Sequence, residues 1–129
     1  LIADGVHVHP VMIRTTLAAN RGAAEVFLVT DAMATGGSDI TSFTLNDREI
    51  LRREGRLTLA DGTLAGADLS LLQAVRYMHE TVGEPLERSL ARATVIPAGM
   101  LPKPPELDHA TAMIWIKDDL SELHWLSEL

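Results

Sequence analysis

The sequence predicts an α/β fold in which a parallel strand-helix-strand unit is followed by antiparallel ribbons and a pair of helices. Three observations carry this reading. The apolar runs Leu1-Ile2-Ala3 and Val26-Phe27-Leu28-Val29 flank a helix-spaced stretch, and strand, helix, strand within about thirty residues is the βαβ signature. The second run is continuous rather than alternating, as expected of a strand covered on both faces in a parallel sheet. From Ile40 to Gly66 the pattern changes to short segments separated by turn residues, which marks hairpins rather than another βα unit.

Each element has a local cause. Asp4-Gly5 is a turn pair after the first strand, and Pro10 suits the first turn of a helix because its missing N–H costs nothing there. Met12, Ile13, Thr16 and Leu17 give that helix an apolar stripe, and Asn20-Arg21-Gly22 ends it. Asp31 follows the second strand directly, ahead of a flexible Gly36-Gly37 loop. In open and barrel α/β sheets alike, active sites gather at that edge. Asn46-Asp47, Glu54-Gly55 and Asp61-Gly62 punctuate two or three antiparallel ribbons. Asp68 is the expected N-cap of a helix that turns Leu71, Leu72, Val75 and Met78 inward and stops near Gly83. Glu84-Pro85 then opens a second helix with Leu86, Leu90 and Ala93 on one face. After Pro97 a proline-rich stretch reads as a linker or long loop, followed by two strands in "TAMIWIKDD" and "LHWL". One βαβ unit cannot close a sheet on itself, so neighbouring strands are expected upstream of Leu1.

Composition narrows the function classes. An apolar share of 47% over 129 residues supports a folded domain, and aromatics at 4% leave Leu, Val, Ile, Met and Ala to fill the core. A formal charge of -7 without a basic cluster argues against a nucleic-acid partner. Zero cysteines exclude a disulfide scaffold and a thiolate zinc site, and fit a reducing compartment. No apolar run approaches the roughly 20 residues of a membrane span, and the first ten residues carry no basic region of a signal peptide. A cytoplasmic location is the expectation, with no membrane partner.

The candidate sites compete with plainer readings. His7 and His9 form an H-x-H pair, which on a strand would place both rings on one face for a metal. Two ligands are an incomplete site, however, and Pro10 places the pair in a strand-to-helix turn, where a loop or core role for His9 is the better account. An aspartate straight after an apolar strand is costly unless it meets a partner, a cap or a reactant, so Asp31 is either a functional carboxylate or an N-cap or Asx turn. The "DGTLAGADL" stretch is a hairpin turn leading into a helix. Its alternative use is as exposed amides at Leu64, Ala65 and Gly66 for an anionic or hydroxyl-rich ligand. Tyr77, His79, His109 and His124 have no second group within sequence reach and receive no chemistry.

Taken in order, "IADGVHVHP", "VFLVTDAMATGG", "GRLTLADGTLAGADLSLLQAVR" and "LERSLARATVIPA" resemble the C-terminal portion of the N-acetylglucosamine-6-phosphate deacetylase family of the amidohydrolase superfamily. The likeness runs from Leu1 to about Ala98; "ADGVHV" and "LVTDAM" are its most specific pieces, and "MLPKPPELDHA" departs from the family's Gly-rich stretch. The resemblance implies a (β/α)₈ TIM-type barrel. Residues 1–98 would be part of it, with a ribbon insertion at about 40–66, and 99–129 would be a linker and the last strands of a small β-sandwich domain.

It further implies that Asp31 is the catalytic base and acid, and that Asp4, Gly5, Val6, His7, Leu64, Ala65 and Gly66 line a sugar-phosphate site. The full enzyme would use a divalent metal, zinc by expectation. Its ligands, a Glu and two His on earlier strands, have no counterparts here, so this chain alone is expected to bind no catalytic metal and to be inactive. Homodimerisation is a further implication. Another amidohydrolase, of dihydroorotase or nucleobase-deaminase type, is an alternative that the ribbons and the "TLAG" turn disfavour. A non-catalytic sugar-phosphate-binding or assembly module is an alternative of a different class.

Overall fold

The computed structural model describes residues 1–22 and 24–100. Helix α1 spans Pro10–Ala19, strands β1 to β4 span Ser42–Leu45, Arg48–Arg53, Arg56–Thr58 and Leu64–Ala67, and helix α2 spans Leu71–Tyr77. A π-helical turn, Met78–Val82, prolongs α2; helices α3, Leu86–Ala93, and α4, Val95–Ala98, follow. The proline-rich stretch beyond Met100, the two expected final strands, His109 and His124 lie outside the described residues.

The ribbons form one four-stranded antiparallel meander in the order β1-β2-β3-β4. Leu45 pairs with Arg48 and Arg53 with Arg56, so each of the first two hairpins closes on a two-residue loop. Asn46 and Asp47 have φ of 50° and 60°, and Glu54 and Gly55 have 49° and 73°. Positive φ at both central positions is the turn whose twist matches that of paired strands. Asp61 accepts from the Thr63 N–H at 2.9 Å and Gly62 has φ of 86°, so the third turn is also built from its own residues.

The expected parallel strands are reduced to a single pairing. The Leu1 nitrogen donates to the Phe27 carbonyl at 2.8 Å, and the Leu1 carbonyl accepts from Val29 N–H at 3.0 Å. These two bonds set Leu1 opposite Leu28 in parallel register, but no ladder extends from them, and neither segment is a regular strand. A parallel strand satisfies its backbone only with neighbours on both sides. Here the outer partner of the second segment is a helix end: the Arg92 carbonyl accepts from Leu28 N–H at 2.9 Å, and the Arg92 guanidinium donates to the Val26 carbonyl at 2.6 Å.

The core gathers Ala3, Ile13, Leu28, Ala67, Leu69, Val75, Met78 and Ala93 with their neighbours. Of the apolar stripe expected on α1, Ile13 is buried and Leu17 packs against the core, whereas Met12 is 56% exposed. An i, i+4 pair is enough to seat a ten-residue helix on one side only. Asp68 is not the N-cap of α2. Ser70 takes that place in a capping box with Gln73, each side chain meeting the other's backbone N–H, while Asp68 pairs with Arg52 at 2.8 Å. The helical segment stops at Gly83 with φ of 86°, as the glycine suggests. Arg92 and Glu84 form a buried ion pair at 2.8 Å that ties α3 to its own start.

Candidate functional site

Because Leu1 and Leu28 run parallel, Asp4 and Asp31, each three residues further on, leave their segments at the same end. Strand β4 joins them there: Ala67 N–H donates to the Asp31 carbonyl at 3.2 Å. Gly66 packs so closely that a Cβ on it would lie 2.9 Å from Met33 Sδ and 3.3 Å from the Asp31 carbonyl oxygen. A side chain here would have to displace Met33 and press on the Asp31 backbone, which favours glycine.

Asp31 itself is exposed and holds φ of 55°. Aspartate tolerates this left-handed region better than most residues, and backbone outliers of this kind cluster at functional sites. Its carboxylate has no hydrogen-bond partner among the described residues. The loop that follows is pinned at its far end, where Arg52 donates to the Ser38 carbonyl at 2.6 Å and to Asp68 at 2.8 Å. Inside that loop the Thr35 hydroxyl is buried and lacks a partner among the described residues.

The Asp4–His7 turn is organised by one carboxylate. Asp4 Oδ1 accepts from the N–H groups of Val6 and His7, both at 2.9 Å, and Oδ2 lies 2.6 Å from His7 Nδ1. Burial alone would raise the Asp4 carboxyl, yet the backbone and side-chain bonds from His7 and the bond from Val6 hold it below the usual carboxylate range. Gly5 has φ of 75°, and a Cβ there would come within 2.8 Å of the Tyr77 hydroxyl and 3.1 Å of its ring. The last residue of α2 thus backs the turn. Burial and the Asp4 charge push the Tyr77 phenol up, with Arg14 opposing. His9 has a separate job: its Nδ1 accepts from Val11 N–H at 3.3 Å and caps α1, the plain loop role.

Of the remaining expected wall, Leu64 is 39% exposed and Ala65 half-buried in β4. Ala65 and Met33 also edge an open hollow of about 390 Å³ shared with Leu45, Asn46, Arg48, Ile50 and Leu59. Neither Asp31 nor the Asp4–His7 turn lines it. Tyr77 and Arg52 are the residues that sequence reasoning missed. An aromatic residue in an amphipathic helix and an arginine in a ribbon carry no local signal of what they will touch.

Among the described residues, no group of three or more His, Cys, Asp or Glu side chains could hold a metal ion. No described helix is long and apolar enough to cross a membrane.

No protein-family model matches the chain. It is 37% identical, over 92% of its length, to the N-acetylgalactosamine-6-phosphate deacetylase of Shewanella sp. (strain ANA-3), of which it covers 31%. Among solved structures it resembles the N-acetylglucosamine-6-phosphate deacetylase of Pasteurella multocida with a TM-score of 0.70 and 32% identity, over 77% of this chain and 26% of that one. The Mycobacterium smegmatis deacetylase, solved in complex with N-acetyl-D-glucosamine 6-phosphate, gives 0.64 and 30% over the same share of this chain. The chain therefore spans between a quarter and a third of each of these three relatives, and the likeness read from its motifs is borne out.

Proposed function

We propose, from its kinship with the N-acetylglucosamine- and N-acetylgalactosamine-6-phosphate deacetylases, that this chain supplies the catalytic aspartate and part of the sugar-phosphate site of such an enzyme. In this reading residues 1–98 belong to a (β/α)₈ barrel and 99–129 to a small β domain. The substrate is N-acetylglucosamine 6-phosphate or its galactosamine epimer, and the products are the free amino-sugar phosphate and acetate. A homodimer in the cytoplasm completes the picture.

The observation that carries the reading is Asp31: an exposed, unpartnered carboxylate in left-handed backbone, held between β4 and the end of an apolar run. Such a carboxylate can take a proton from the water that attacks the acetamide carbon. As the C–O bond forms and the C–N bond breaks, it returns that proton to the departing nitrogen. Gly5, Val6 and His7 from one segment and Leu64, Ala65 and Gly66 from another would flank the sugar phosphate, with Asp4 behind His7. Enzymes of this superfamily act with a divalent metal, zinc by expectation. The described residues do not make up a donor set of three or more side chains for it; the chain alone is expected to turn over no substrate.

A transplant tests the proposal. Residues 1–98 replace the matching segment of the Pasteurella multocida deacetylase, and acetate release from both sugar phosphates is measured with and without Asp31→Asn. Release that falls by about 10²–10⁴-fold in the variant is expected. Full activity in the Asp31→Asn chimera would remove Asp31 from the chemistry.

A further inference from the structure

We propose that Asp4 and Tyr77 are positioning residues for His7: Asp4 fixes the imidazole by accepting from Nδ1, and Tyr77 backs the turn that carries them both. The inference deepens the reading of His7 as a sugar-phosphate contact and rests on it.

The Asx turn at Asp4 needs only one carboxylate oxygen, because Oδ1 alone accepts the N–H groups of Val6 and His7 at 2.9 Å. Oδ2 is left over and meets His7 Nδ1 at 2.6 Å, with the Asp4 side chain only 7% exposed. A carboxylate that accepts at Nδ1 keeps the proton there, so in the neutral ring Nε2 is the acceptor that faces a ligand. A protonated ring would donate from Nε2 along the same direction.

Tyr77 supplies the rigidity. Its ring fills the space over Gly5 where any side chain would sit, and it ends α2 where the helix widens into the π-helical turn. Segments of that kind recur at functional sites. Arg14 anchors the same turn from α1, donating to the carbonyls of Thr81 and Val82.

Nitrogen-15 spectra of the histidine-labelled 129-residue chain decide the matter, with His7→Gln used to assign the ring. At a pH where the ring is neutral, wild-type His7 is expected to carry its proton on Nδ1. Asp4→Asn keeps an oxygen for the Asx turn and puts an NH₂ where Oδ2 was, so the Nδ1–H signal is expected to be lost and the ring to change to the Nε2–H form. Tyr77→Ala should mix the two forms, whereas Tyr77→Phe, which keeps the ring contact, should leave the wild-type spectrum. An Nε2–H ring in the wild type overturns the proposal without any variant. An unchanged ring in a folded Asp4→Asn protein overturns it too, and an unchanged ring in Tyr77→Ala removes Tyr77. If the tautomers behave as expected but added N-acetylglucosamine 6-phosphate leaves the Nε2 signal unmoved, the sugar-phosphate role of His7 fails and the positioning stands.

Discussion

Asp4 and His7 share two hydrogen-bonding contacts across a single turn, the ring Nδ1 at 2.6 Å from Oδ2 and the His7 N–H at 2.9 Å from Oδ1, and the intervening Val6 N–H also reaches Oδ1 at 2.9 Å. This local pairing makes the turn dependent on the charge of one carboxylate.

Acid should therefore loosen it. The folded Asp4 carboxyl titrates below its unfolded value of about 3.9. Its contribution to stability is complete above that unfolded value and is lost as pH falls through the lower folded one. In urea unfolding followed from about pH 5 downward, the gap between wild type and Asp4→Asn is expected to close. A gap that stayed constant would mean that the carboxylate charge is irrelevant to folding.

Gly5→Ala should be destabilising on two counts. The positive φ costs a side chain about 1–2 kcal/mol, and the new Cβ would press on the Tyr77 ring. Combining it with Tyr77→Ala should recover only the steric part, which a double-mutant cycle in urea reads directly.

Gly66→Ala tests a different contact. Met33 is flexible and can yield, but the Asp31 carbonyl at 3.3 Å from the new Cβ is backbone. The expected result in the chimeric enzyme is a loss of kcat that exceeds any loss of thermal stability. Unchanged kcat would show that Asp31 tolerates the shift.

Arg92→Met removes both the ion-pair partner of the largely covered Glu84 carboxylate and a donor to the Val26 carbonyl. Breaking one side of a buried pair costs about 3–5 kcal/mol. Replacing Glu84 by Gln at the same time should restore part of that, because no buried charge is then left alone.

Thr35→Val should be neutral or stabilise by about 1 kcal/mol, since its buried hydroxyl lacks a partner among the described residues. Clear destabilisation would reveal a bound water or group at that hydroxyl.

The pieces legible in advance are those with a local cause. Asn46-Asp47 and Glu54-Gly55 specify their hairpins because their own φ preferences match the twist of the flanking strands. Pro10 sets the start of α1 and Gly83 the end of the helical segment that follows β4, each through its own backbone. Asp31 stood out because a carboxylate after an apolar run is costly to leave unexplained. Asp68 misled for the same local reason: it is a good cap, but Ser70 and Gln73 complete a reciprocal box two residues later and free Asp68 for Arg52.

The sequence by itself determined the hairpin turns, the start of α1 at Pro10 and the helical stop at Gly83, since these follow from neighbours within a few residues. Only the tertiary structure decided which side chains meet. Tyr77 lies over Gly5, Gly66 presses on Asp31, and Arg52 ties Ser38 to Asp68. Such contacts join segments distant in the chain, and they are selected by the packing of the whole core, which no local propensity encodes.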